Sequence, residues 1–261
     1  MNRRKFFSFI TQGSSFRTEP ASTGDRAEIM AGLEPYAQPL TRLDALHLLR
    51  RLSFGPTTAL VASITGKSAN DAVDTLLGNG TEPPPASPGA WVDKAQEDPN
   101  NLDIISKNSI EAGWRSNFLL LQNWWGNLMA SESTVMSEKL TMFWSGHFTT
   151  EFTYDLGYIP PQVLYRQNAL LRKDRLANFK VFLEEITLDP AMLVYLGGVL
   201  NIKGKPNENY GREMMELYSC GIGQYTEGDV KNAARVLTGW KASLFSDSPA
   251  KNGLFNSYFE P

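Results

Sequence analysis

From Thr41 onward leucines recur at Leu43, Leu46, Leu49 and Leu52, interleaved with Asp44, His47, Arg50 and Arg51. Apolar positions three residues apart lie on one face of a helix, and Thr41 with Asp44 forms the capping-box pair that starts one. Gly55–Pro56 stops it. A second helix is predicted from near Thr57 to Gly66, and a third, capped by Ser68 and Asp71, runs to Gly78 with Ala72, Val73, Leu76 and Leu77 inward. Helical periodicity returns over 109–129, where Trp114, Phe118, Leu121, Trp125 and Leu128 form a stripe, and again over 135–145, ending at Gly146. An aromatic stripe at this spacing is core. Pro160 and Pro161 suit the first turn of the next helix. "DRLANFKVFLEEI" follows, and Asp189–Pro190 opens a short helix to Leu196. The stretch 206–218 is an amphipathic helix, and Thr226 with Asp229 caps a last one ending at Gly239.

Between these segments, "NGTEPPPASPGAWVDKAQEDPNN" (79–101) holds five prolines and reads as a long loop, with Trp91 the residue to pin it. Residues 1–40 show no sustained period and read as an arm. No alternating strand pattern exceeds a few residues, and there is no internal repeat. The expected fold is all-α: a single domain of about nine helices over 41–261, with an extended N-terminal arm (1–40) and a Pro-rich loop.

Composition narrows the chemistry. The chain has 261 residues, 42% hydrophobic and 20% charged, ordinary values for a globular protein with a substantial core. A net charge of −3 offers no footprint for nucleic acid. The longest apolar run, Ala191–Leu200, is broken by Gly197 and Gly198 and falls short of the roughly 20 residues of a membrane span. One cysteine, Cys220, excludes an internal disulfide, and with only His47 and His147 a thiolate or histidine-rich metal centre is excluded. No phosphate loop, dinucleotide fingerprint, nucleophile elbow or calcium loop is present, so neither a metal nor another cofactor is implied.

The N-terminus "MNRRKFFSFITQGSS" carries an Arg3–Arg4 pair ahead of Phe6 and Phe7, like the head of a twin-arginine export signal. Its apolar segment, Phe6–Ile10, is short, so a degenerate leader and a plain basic arm both fit.

The densest polar chemistry lies in "PNENYGREMMELY" (206–218). At about 100° per residue, Glu208, Asn209, Arg212, Glu213 and Glu216 fall within an arc of roughly 140°. Tyr210, Met214, Met215, Leu217 and Tyr218 fill the opposite side. Two readings are open. The polar face is solvated, its Glu208–Arg212 and Arg212–Glu216 i,i+4 pairs supporting the helix. Alternatively the face lines a cleft, where Glu213 and Glu216 serve as base and acid and Arg212 positions an anion. His147, just past the helix-ending Gly146, sits where the helix dipole favours a proton and could be the acid, or could satisfy terminal carbonyls. His47 reads as structural, and Cys220 as a small hydrophobe.

Five blocks together resemble a known family: "HLLRRLSFGPT" (47–57), "EKLTMFWSGHFTT" (138–150), "RQNALLRKDRLANF" (166–179), "DPAMLVYLGG" (189–198) and "KGKPNENYGREMMELYSCGIGQYTEGDVKNAARVLTGW" (203–240). The chain is similar over about 41–261 to the bacterial family called domain of unknown function 1800. The resemblance implies a largely helical, exported protein, often encoded beside a second exported family, which is the candidate partner; it supplies no activity. It also implies three departures. Ser145 stands where the family often has the first His of His-x-His, leaving His147 alone. Gly197 stands where Asp or Asn is frequent. Family members continue past "FNSYFEP" with a His–Asp motif, so the C-terminal part is expected to be missing.

Glu208, Asn209, Arg212, Glu213 and Glu216 all fall in the most recognisable block, which strengthens the cleft reading. The function expected is that of a periplasmic or extracellular, non-catalytic surface or export-associated partner protein, with a cytoplasmic location as the alternative. The competing function is metal-independent acid–base hydrolysis of a polar polymer or ester: Glu213 or Glu216 the base, His147 the acid, and Glu208, Asn209 and Arg212 holding substrate or forming a network. The departures at Ser145 and Gly197 favour the first.

Overall fold

The computed structural model describes residues 36–78, 83–131, 135–154, 157–248 and 253–260. The expected leader and nearly all of the expected arm lie outside the described residues. Among those described are ten α-helices, nine of them at least seven residues long, and two short antiparallel strand pairs, so the fold is all-α as the periodicity predicts.

The chain divides into two compact units, the division among the described residues falling at Pro85/Ala86, Trp124/Trp125 and Met142/Phe143. The smaller takes its described residues from Ser15–Pro85 and Trp125–Met142. It contains α1 (Arg42–Leu52), α2 (Thr58–Ile64) and α3 (Ala69–Leu77). Their starts are the predicted ones. Thr41 and Asp44 exchange both capping-box hydrogen bonds, and Thr57 and Ser68 cap α2 and α3 through their hydroxyls. Leu40, Ala45, Leu49, Val61, Ile64 and Ala72 form the core. Leu40 belongs to it although the pattern leaves it in the arm, because its backbone is tied to Gly66 and Lys67. Leu43, assigned by spacing to the inner face, is 76% exposed, while Ala45 is buried instead.

The larger unit takes its described residues from Ala86–Trp124 and Phe143–Pro261. The helix α4 (Ile104–Ala130) begins five residues before the predicted Ser109, since Asp103 accepts from the N–H groups of Ile105 and Ser106. Its Trp114 and Leu121 are buried as the stripe requires. Next come α5 (Val135–His147), of which only Phe143–His147 belongs to this unit, β1 (Thr153–Tyr154), β2 (Gly157–Tyr158), α6 (Pro161–Lys173), α7 (Phe179–Thr187) and α8 (Pro190–Tyr195). The set closes with α9 (Glu208–Glu216), α10 (Glu227–Leu237), β3 (Trp240–Ala242) and β4 (Ser257–Phe259). Pro161 and Pro190 occupy first turns, where a missing N–H costs nothing. The Pro-rich loop is tied down: Arg166 of α6 donates to the Val92 carbonyl at 2.7 Å and pairs with Asp93 at 2.8 Å, and Trp91 packs against the core.

Two apolar clusters fill this unit. One joins Phe148 to Leu171, Phe182, Ile186, Met192, Tyr210, Met214, Tyr218, Val230, Ala233 and Leu237; the other gathers Leu121, Ile159, Val163, Ala191, Val194 and Phe255. The tightest pairing is α9 on α10. A Cβ on Gly211 would stand 2.8 Å from that of Ala233, closer than real Cβ atoms come, so only glycine lets the two helices approach this far.

Candidate functional site

Asn207 caps α9 by accepting from the Asn209 N–H, and Tyr210, Gly211, Met214 and Met215 are buried beneath it. That burial turns Glu208, Asn209, Arg212, Glu213 and Glu216 to the other side, as the helical arc demands. What they meet there differs from residue to residue.

Arg212 makes a two-pronged ion pair with Glu227, both contacts 2.8 Å, and has Glu208 at 3.9 Å. Glu227 is the first residue of α10, so the guanidinium clamps the start of the helix that Thr226 caps. The Arg212 hydrogen bonds hold the Glu227 carboxyl below its usual range and push the guanidinium higher still. Glu216 accepts from the Tyr225 hydroxyl, which raises the phenol's pKa. Asn209 is exposed and its amide reaches the Leu196 carbonyl at a long 3.4 Å. Arg212 therefore has two carboxylates of its own beside it, and Glu216 has a phenol donor.

Glu213 stands apart. It is half-buried, and its carboxylate forms no hydrogen bond or ion pair with a described residue. The nearby Tyr218 phenol is pushed up to about 12, by burial first and then by the Glu213 charge and Tyr195. His147, the last residue of α5, reaches the same tyrosine: its Nε2 is 3.2 Å from the Tyr218 carbonyl, which can only accept, so Nε2 carries the proton. The ring lies edge-on to Trp144, Phe148 and Tyr218, with centroids 5.8, 4.7 and 6.0 Å away. Thus the Tyr218 backbone bonds both His147, through its carbonyl, and the Glu213 carbonyl, through its N–H, while Arg212 is held by Glu227, Glu216 by Tyr225, and Glu208 lies beside Arg212.

Gly197 has φ +70° and ψ 19°, the left-handed conformation that ends a helix. Glycine takes it freely, and asparagine and aspartate are the next most tolerant residues there. An Asp or Asn at this position is accounted for by backbone geometry alone, without a carboxylate role.

Three residues escape the sequence reading. Tyr218 and Tyr225 were placed with the apolar side or passed over, although each contacts a candidate acid. Asp189 was read only as a helix start. It does cap α8, but it is fully buried, accepting from Met192 N–H and the Gln167 amide, both at 2.9 Å. Burial pushes its carboxyl up to about 7, against the hydrogen bonds that lower it. Sequence offered no sign of this, since Asp-Pro at a helix start is ordinarily solvated.

Among the described residues no group of three or more His, Cys, Asp or Glu side chains could hold a metal ion, and no helix is long and apolar enough to cross a membrane. No curated protein and no solved structure is significantly similar to the chain. A family does match. The buried α9–α10 pair, the Asp189–Pro190 start and the His147 turn all lie within residues 47–258, the span matched by the family described as "Protein of unknown function (DUF1800)". That span is most of the chain, and the protein belongs to this family.

Proposed function

We propose that the protein is an extracytoplasmic, non-catalytic component that binds a second exported protein. The observation that carries this is an exposed apolar patch around His147. Phe143 is 63% exposed, Leu217 57%, Leu176 55% and Phe179 41%. Trp144 joins them, stacking on Phe179 at 5.9 Å, meeting Phe143 at 5.0 Å and donating to the Arg175 carbonyl. Aromatic groups left in water on a monomer mark a surface that a protein covers. The Arg3–Arg4 pair supports export. The partnered state of Arg212, Glu208 and Glu216 supports a structural role for most of the polar face.

The test is capture of a single stoichiometric partner from the exported fraction, through a photo-crosslinker at Leu217. Recovery should be lost with Phe143→Ser/Phe179→Ser and kept with Glu213→Gln. Equal recovery with the double substitution overturns the reading.

A second reading, acid–base hydrolysis of a polar polymer or ester, is favoured by the unpartnered carboxylate of Glu213 beside Tyr218. It assigns the base to Glu213 alone, since Glu216 is held by Tyr225. Turnover of an ester or glycoside panel that disappears with Glu213→Gln would establish it and displace the partner reading.

A further inference from the structure

A second concave site lies elsewhere in the larger unit and uses none of the residues above. It is a cavity of about 500 Å³ lined by Ile202, Lys203, Arg235, Thr238, Gly239, Lys241, Phe259 and Glu260. Four segments build it: the turn after the short 3-10 helix Gly198–Leu200, the last turn of α10, β3 and β4. The segments are held together by backbone bonds. Gly239 N–H donates to Asn201 O at 2.9 Å, Glu260 N–H donates to Gly239 O at 2.7 Å, and Lys241 pairs in register with Tyr258.

Its charge runs against that of the whole molecule. In a chain of net charge −3, three cations and one carboxylate line this cavity. Lys203 and Arg235 are exposed and form no hydrogen bond or ion pair with any described residue. Lys241 donates to the Val199 carbonyl at 2.6 Å, which fixes its ammonium and leaves two of its three N–H donors for other acceptors. Positive groups converging on a concave wall focus the field there and draw in anions. Arg supplies a planar fork that fits phosphate oxygens, and Lys a point charge. The Phe259 ring, held against Trp240 with centroids 6.0 Å apart, adds a flat apolar wall. The volume suits one small ligand.

We infer that this cavity binds an aromatic phosphomonoester, about the size of a nucleoside monophosphate. The phosphate lies between Lys203, Arg235 and Lys241, and the planar group lies against Phe259. Glu260 is placed to accept from a hydroxyl of the ligand. Phosphate is preferred over a monocarboxylate because three cations on three segments are matched better by a dianion with three terminal oxygens.

Calorimetric titration of the full chain tests this with four probes: phenyl phosphate, adenosine monophosphate, inorganic phosphate and adenosine. Both esters should bind saturably and weaken with added salt. Inorganic phosphate should bind on the order of tenfold more weakly, and adenosine should not bind. Lys203→Ala/Arg235→Ala changes only exposed, unpartnered side chains, so it should keep the thermal midpoint and lower ester affinity about tenfold or more. Phe259→Leu should weaken the esters while leaving inorganic phosphate unchanged. No saturable ester binding overturns the proposal, as does ester binding unaffected by the double substitution, or inorganic phosphate binding as tightly as the esters.

Discussion

Two kinds of position on one helical face tell different stories. Arg212, Glu208 and Glu216 on α9 have partners: Glu227 pairs with Arg212 at the start of α10, Glu208 lies beside Arg212, and Tyr225 donates to Glu216. Glu213, on the same face, has the Tyr218 phenol near it and no bond to its carboxylate from any described residue. Side chains of the same type, a turn apart, thus stand in different surroundings. Charged spacing on a helix does not show which carboxylate is partnered; only the neighbours brought by other segments do.

The comparison is sharpened first by a carboxylate whose environment is extreme. Asp189 is fully buried, and its folded pKa is about 7. Unfolded, it titrates near 3.9. Between those values the folded state holds a proton that the unfolded state has released, so stability declines as pH rises from about 4 to about 7 and then levels. Asp189→Asn keeps the cap and removes the titration. Denaturant melts of the two proteins should therefore diverge with pH, by roughly 4 kcal/mol at most across the window. Parallel curves would show that Asp189 is ionised and solvated.

The next effect is on the α9–α10 seam that creates the clamp. Gly211→Val puts methyl groups into Ala233 and should lose about 1–3 kcal/mol by overpacking. A stable Gly211→Val protein would mean that the helices can separate. The smallest effect compares the two halves directly. Arg212→Ala should lower the thermal midpoint slightly, and less so at high salt, because its pairs with Glu227 and Glu208 are near the surface. Glu213→Gln should leave the midpoint unmoved at any salt. If the salt dependence belongs to Glu213 instead, the division of the face is wrong.

Helix starts were legible because they are written in local chemistry. Thr41 with Asp44, Ser68 with Asp71, and Thr226 with Asp229 each close a hydrogen bond over three residues, needing nothing from elsewhere in the chain. Asp103 does the same for α4 and was overlooked for want of an apolar period beside it. The end of α9 was less legible. It stops at Glu216 because the N–H groups of Cys220 and Gly221 both turn to the Met215 carbonyl, a loop geometry that periodicity does not register.

By itself the sequence determined the all-α architecture, the caps, the inward face of α9 and the family, since each rests on spacing within one segment or on long unbroken motifs. Tertiary structure alone decided that Arg212 clamps α10, that Glu216 is held by Tyr225, that His147 reaches the Tyr218 carbonyl, and that Lys203, Arg235 and Lys241 line one cavity. These pairings join residues far apart in the chain. Their energies depend on distance and burial, and neither is set until the helices have packed.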